Sequence, residues 1–191
     1  MNRSQVSATN DPLAIFISDH VDQAALLDQL SNFSIVEADR IKSVLHSLKH
    51  QEHAHSFAES KTLPAFVSRY FSETESKTIN EKLVSGDVAI TKSFDSLDEL
   101  DCVKDFRAWQ TQFNVLKSAI NSHNAYEQEK IFPILREKLS GQEKEQMIKD
   151  IALARQNVPS ASITEAIFDG AKGLLGSVGS LFTRATGGVQ D

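Results

Sequence analysis

Six histidines stand in this chain of 191 residues, and their spacing divides them into two kinds. Each residue of an α-helix turns the next side chain by about 100°, so position along the sequence fixes direction. His46, His50 and His53 recur at i, i+4 and i+7. Their stripe lies opposite Ile41, Val44, Leu45 and Leu48 and is expected to face solvent. His55 instead shares the apolar face of Val44, Leu48 and Phe66, together with Glu52 and Glu59. His123 and Glu127 align with Leu116, Ile120, Ile131 and Ile134, and His20 aligns with Leu13, Ile17, Ala24 and Leu27. A carboxylate buried alone is costly, so it must be paired, protonated or bound to a cation. Imidazole and carboxylate donors together suit iron, zinc or manganese. The chemistry predicted is metal ligation inside a helical core by His20, His55, Glu59, His123 and Glu127. The competing reading is a metal-free core, in which each His-x-x-x-Glu pair bonds across one helical turn.

These side chains need helices to aim them. Prolines are few, and most glycines lie beyond residue 165, so the body of the chain is poor in breakers. No segment alternates convincingly at period two; residues 33–36 and 65–70 sit within helical pattern and read as loop and helix. Five helices are predicted. The first covers about residues 11–30, capped by Asn10 or Asp11 with Pro12 in its first turn. The second covers about 37–69, with Pro64 late in it, and the third about 76–97, carrying Ile79, Leu83, Ile90, Phe94 and Leu97. The fourth covers about 102–139, with Trp109, Phe113 and the late Pro133. A short fifth, about 142–156, stops before Val158 and Pro159. Four long amphipathic helices joined by short connections predict an all-α fold, an antiparallel four-helix bundle over residues 11–158.

Three segments resemble the hemerythrin-like, or HHE cation-binding, domain family. "HNAYEQEKIFPILREKL", from His123 to Leu139, is similar to the family's closing motif, a His-x-x-x-Glu followed by an apolar pair and proline. "PLAIFISDHVDQAALLDQL" resembles its opening helix, in which an Asp-His pair, here Asp19-His20, places the first ligand. "HAHSFAESKTLPAF" resembles its second-helix motif, His55-x-x-x-Glu59 before Leu63-Pro64, with the proline one residue early. The resemblance implies a four-helix bundle with a non-haem di-iron site. It would serve oxygen carriage, oxygen or redox sensing, or iron and nitric-oxide handling. The chain also departs from the family. Its third helix normally supplies histidine, and residues 76–100 contain none. By periodicity Gly86 falls at the centre of that inward face and Asp87 at its edge. Either the second metal position is lost or carboxylates complete it, Glu52 and Asp87 being the candidates. The expected cofactor is iron, mononuclear or an incomplete di-iron pair, with another divalent metal as the alternative. A set this poor in nitrogen predicts no reversible oxygen carriage.

Composition narrows the remaining classes. Lys and Arg total 20 against 26 Asp and Glu, a formal net charge of −6, with no basic cluster, which argues against nucleic-acid binding. A single cysteine, Cys102, excludes a disulfide framework and cysteine-rich metal sites. No apolar run is long enough to span a membrane and none reads as a signal peptide, so a cytoplasmic protein is expected. No hydrolase-type nucleophile and base pair and no phosphate loop occurs, so a non-enzymatic role is expected, with a metal ion and a small diatomic molecule as ligands. Residues 1–10 are expected to be disordered. Residues 159–191 form a separate tail, in which Ile163, Ile167, Phe168, Leu174, Leu175, Val178, Leu181 and Phe182 keep helical spacing while Gly170, Gly173, Gly176 and Gly179 weaken any isolated helix. Residues 163–182 are therefore expected to self-associate or to dock on the bundle or a partner. The alternative function is a metal-free four-helix scaffold acting through protein contacts of this tail.

Overall fold

The computed structural model describes residues 10–159, and every regular element among them is helical. The expectations for the N-terminal segment up to residue 9 and for residues 163–182 lie outside the described residues. Helix α1 spans Leu13–Ser31, and a short 3-10 turn, Ile35–Glu37, leads into α2, Ala38–Tyr70. Helix α3 spans Glu73–Asp98 and α4 spans Phe106–Tyr126. A π turn, Glu127–Ile131, joins α4 to α5, Phe132–Lys138, and α6 spans Gly141–Gln156. No helix among the described residues is long and apolar enough to cross a membrane.

The helix starts follow from local chemistry. The Asp11 carboxylate accepts the Leu13 N–H at 3.1 Å, and Pro12 follows it in the first turn. Ser72 with Glu75 and Ser140 with Glu143 each form a reciprocal capping box, opening α3 and α6. The fourth helix begins later than its pattern predicts. The Asp101 carboxylate accepts the Val103 and Lys104 N–H groups, which turns the chain and delays the helix to Phe106.

Three expectations about which residues face inward are corrected. The predicted fourth helix is interrupted by the π turn, where the Phe132 N–H donates to the Glu127 carbonyl five residues back. Pro133 has no N–H to continue the ordinary ladder. The wider turn admits one extra residue and rotates everything after it. Ile134, expected in the inward row, is 38% exposed, whereas Phe132, Leu135 and Leu139 are buried. On α1 the buried row is Leu13, Phe16, His20, Gln23, Leu27 and Leu30, a strict alternation of steps of three and four. Gln23 therefore takes the inward place that apolarity had assigned to Ala24, which is exposed. On α2, His46 and His50 are exposed as expected, but His53 is buried. Helix α2 packs against α1, α3, α5 and α6, so more than one stripe of its surface is covered.

The apolar side chains gather into two clusters. One holds Leu13, Leu63, Val67, Ile79, Phe132 and Ile151; the other holds Leu27, Leu48, Ile90, Phe94, Trp109 and Leu116. Helix α1 runs from the first cluster to the second, α2 returns, α3 runs out again, and α4 with α5 returns. Each of these passes leaves a middle turn between the clusters. The buried polar residues His20, Gln23, Glu52, His55, Glu59, Asp87, His123 and Glu127 occupy those turns.

Candidate metal centre

Four of the predicted ligands converge. One donor atom each from His20, His55, Glu59 and Glu127 lies within 4.8 Å of the others, and all four residues are buried. His20 Nε2 lies 3.2 Å from His55 Nε2 and 3.2 Å from Glu127 Oε2. His55 Nε2 lies 3.3 Å from Glu59 Oε1. These side chains could hold a metal ion: bonds of about 2.1 Å to imidazole and carboxylate set neighbouring donors about 3.0–3.4 Å apart. The fit has a second sign. Glu59 Oε1, His123 Nε2 and both Glu127 oxygens are buried without a hydrogen-bond partner. Unpaired buried polar atoms are costly and uncommon.

The fifth predicted ligand, His123, stands on the far side of the two glutamates. Its Nε2 lies 3.3 Å from Glu127 Oε1, 3.6 Å from Asp87 Oδ1 and 3.9 Å from Glu59 Oε2. Glu59 and Glu127 thus turn one oxygen toward the His20–His55 pair and the other toward His123. Gly86 is where α3 admits the His123 ring: a Cβ there would stand 2.2 Å from His123 Nδ1. Asp87, placed at the edge by periodicity, is the buried neighbour. Glu52 does not join the converging donors. Its carboxylate accepts from the Gln23 amide at 2.5 Å and from Ser56 Oγ at 3.4 Å. Ser56 Oγ also donates to Asp87 at 3.0 Å, and the Asn124 amide donates to Gln23 at 2.8 Å.

Outer partners hold the rings. Asp19 Oδ2 lies 3.1 Å from His55 Nδ1, which leaves Nε2 free to face the centre. Asp19 also pairs with Arg155 of α6. It therefore serves the histidine of the neighbouring helix, whereas the sequence pairs it with His20. The Gln128 side-chain amide lies 2.9 Å from His20 Nδ1. Phe132 stacks on His20 with centroids 6.0 Å apart, and Phe16 meets His55 edge-on at 5.6 Å. The sequence reading missed Gln23, Ser56, Gln128 and Arg155. Only Gln23 carried a signal, its step of three from His20.

Burial and charge set the protonation of the cluster. Burial pushes Glu59 up to about 8, with the Glu127 charge adding to it. Burial likewise raises Asp87 to about 6 and raises Glu52. Burial opposes the charge on His55, but Glu59 and the Asp19 hydrogen bond outweigh it and carry the ring up to about 10. His123 is raised for the same kind of reason, by Glu127, Glu59 and Asp87 acting against burial. Glu127 is held low despite its burial because His123, His20 and His55 surround it. Burial lowers His20. In the metal-free cluster, protons on His55, His123 and Glu59 offset the buried negative charge that a cation would otherwise offset.

No protein-family model, curated protein or solved structure matches the chain.

Proposed function

We propose that this chain is a hemerythrin-like antiparallel four-helix bundle that binds non-haem iron, or a related divalent metal, through His20, His55, Glu59 and Glu127. The observation that carries the reading is the convergence of four buried donor atoms within 4.8 Å on two imidazoles and two carboxylates. The alternating passage of α1, α2, α3 and α4–α5 between the two apolar clusters supports the bundle. A metal-free scaffold would have to keep Glu59 and Glu127 buried with only imidazole contacts of 3.2 Å or longer to offset their desolvation.

The chain's own residues define what the site does. His20 and His55 present Nε2 because Gln128 and Asp19 occupy the other ring nitrogen. Glu59 and Glu127 supply negative charge and accept the proton changes that accompany binding. Phe16 and Phe132 stand against the two rings on the side of the first cluster. Iron held there supplies a redox-active centre, which suits oxygen, redox or nitric-oxide sensing, or iron handling, in a non-enzymatic protein.

The test is metal analysis of untagged protein. Iron is expected at about stoichiometric amount, and His55→Ala is expected to remove it while the far-UV helical signal persists. Metal content unchanged in His55→Ala, or wild-type protein that takes up neither Fe2+ nor Zn2+, would overturn the reading.

A further inference from the structure

Asp19 stands outside the four converging donors and is tied to two other helices at once. Its Oδ2 lies 3.1 Å from His55 Nδ1 on α2 and also accepts from an Nη of Arg155 on α6. The His55 ring is enclosed, whereas Asp19 and Arg155 keep 14% and 34% of their side-chain surface exposed. The link thus leads from a buried donor to the protein surface in two steps.

Helix α6 is held unevenly along its length. Glu143 pins its first turn, accepting from Tyr70 Oη at 2.6 Å and from Arg69 at 2.5 Å. Met147 and Ile151 hold its middle, buried in the apolar cluster of Leu13, Leu63 and Phe132. Past Ile151 only Ala154 is buried, while Ala152, Leu153 and Gln156 are exposed. Arg155 supplies the charged contact of that last turn.

We infer that Arg155 is a positioning residue for the metal centre: through Asp19 it holds the His55 ring with Nε2 toward the other donors, so that docking of the last turn of α6 and cation binding reinforce each other. The inference rests on the metal-binding reading above and extends it from the ligands to an element that supplies none.

Outer partners of a ligating imidazole fix the orientation of its ring and strengthen it as a donor. Asp19 does so only while its carboxylate points at His55, and at its partial exposure water competes for it. Arg155 meets the same carboxylate oxygen from the α6 side and favours that inward arrangement. The contact is single-point, since one Nη reaches Asp19 and the buried Nε has no hydrogen-bond partner. A placed positive charge, rather than a bidentate fork, carries the effect. Such coupling is reciprocal: the factor that α6 adds to the affinity for the ion, the ion adds to the docked state of the turn. Occupancy of a buried centre thereby becomes visible at the surface, at the turn from which the chain runs on to Pro159.

The experiment uses the full chain stripped of metal, with Zn2+ as the probe, chelator competition for affinity and amide hydrogen exchange for α6. Arg155→Gln is expected to weaken Zn2+ about fivefold or more while the far-UV helical signal persists. Arg155→Lys, whose ammonium can make a single-point contact, is expected to recover most of that loss. Asp19→Asn should weaken Zn2+ about tenfold, and adding Arg155→Gln to it should cost little more. In wild-type protein Zn2+ should slow exchange at residues 153–156 by about the factor that Arg155→Gln costs in affinity. A Zn2+ affinity indifferent to Arg155→Gln, an equal further loss in the Asp19→Asn background, or no recovery in Arg155→Lys overturns this inference alone. So does exchange in the last turn that Zn2+ leaves unchanged, a wild-type measurement that decides the matter even if a variant does not fold. Wild-type protein that takes up neither Fe2+ nor Zn2+ overturns the metal-binding reading as well.

Discussion

Glu59, His55 and His123 favour their protonated forms at neutral pH, and a metal bound among them would have to displace those protons. Ligands bind cations in their deprotonated forms, so binding releases protons and tightens as pH rises. Glu59 loses its proton near 8 and Asp87 near 6, while His55 holds its own to about 10. Affinity for Zn2+ should therefore climb steadily between pH 6 and 8. Calorimetry at pH 7 in buffers of different ionisation enthalpy should find about two or more protons released per chain on saturation. No release would contradict the protonated state assigned to Glu59 and the two rings. The four converging donors were legible in the sequence because each sits in a row of apolar residues at helical spacing, where a charged group needs a partner. Asp19 and Gln128 were not, because their roles depend on which ring nitrogen of another residue they meet. His53 misled for a related reason: one stripe predicts one covered face, and α2 is covered on several.

Among the elements, the π turn has the largest effect on what reaches the core. Such turns concentrate at functional sites, and this one begins at Glu127, one of the four converging donors. Because it rotates α5, Phe132 is buried and Ile134 is 38% exposed. Phe132→Ala should cost about 3–5 kcal/mol in a urea melt, and Ile134→Ala less than about 1 kcal/mol. Equal losses would restore the continuous helix that spacing alone predicts. The sequence could announce Pro133 but not the turn, since a proline can equally kink a helix or begin one. Helix α6 was legible as an element yet not as part of the site. Its Arg155 reaches Asp19, and through it the His55 ring, a link that joins residues 136 positions apart.

Among the described residues, two apolar clusters flank one charged layer, and α1, α2, α3 and α4 with α5 each cross all three. Helix periodicity, Ser72 and Ser140 caps and the low glycine content made the all-helical architecture readable. The separation of the core into two was not, because it follows from where the middle turns of four separate passes meet. That separation bears on how the fold comes apart. A continuous apolar core melts as one unit, whereas a core cut by a buried polar layer contains two blocks joined by a weaker seam. Without metal, hydrogen exchange should find the amides around residues 20–23, 52–59 and 123–127 opening at lower free energy than those in either block. Metal should raise their protection the most, by stabilising the folded layer alone. Uniform protection along α2, with or without metal, would contradict the seam. The clusters can then be regarded as two half-proteins threaded on the same four passes, and a bound ion would be the condition under which they unfold together rather than in turn.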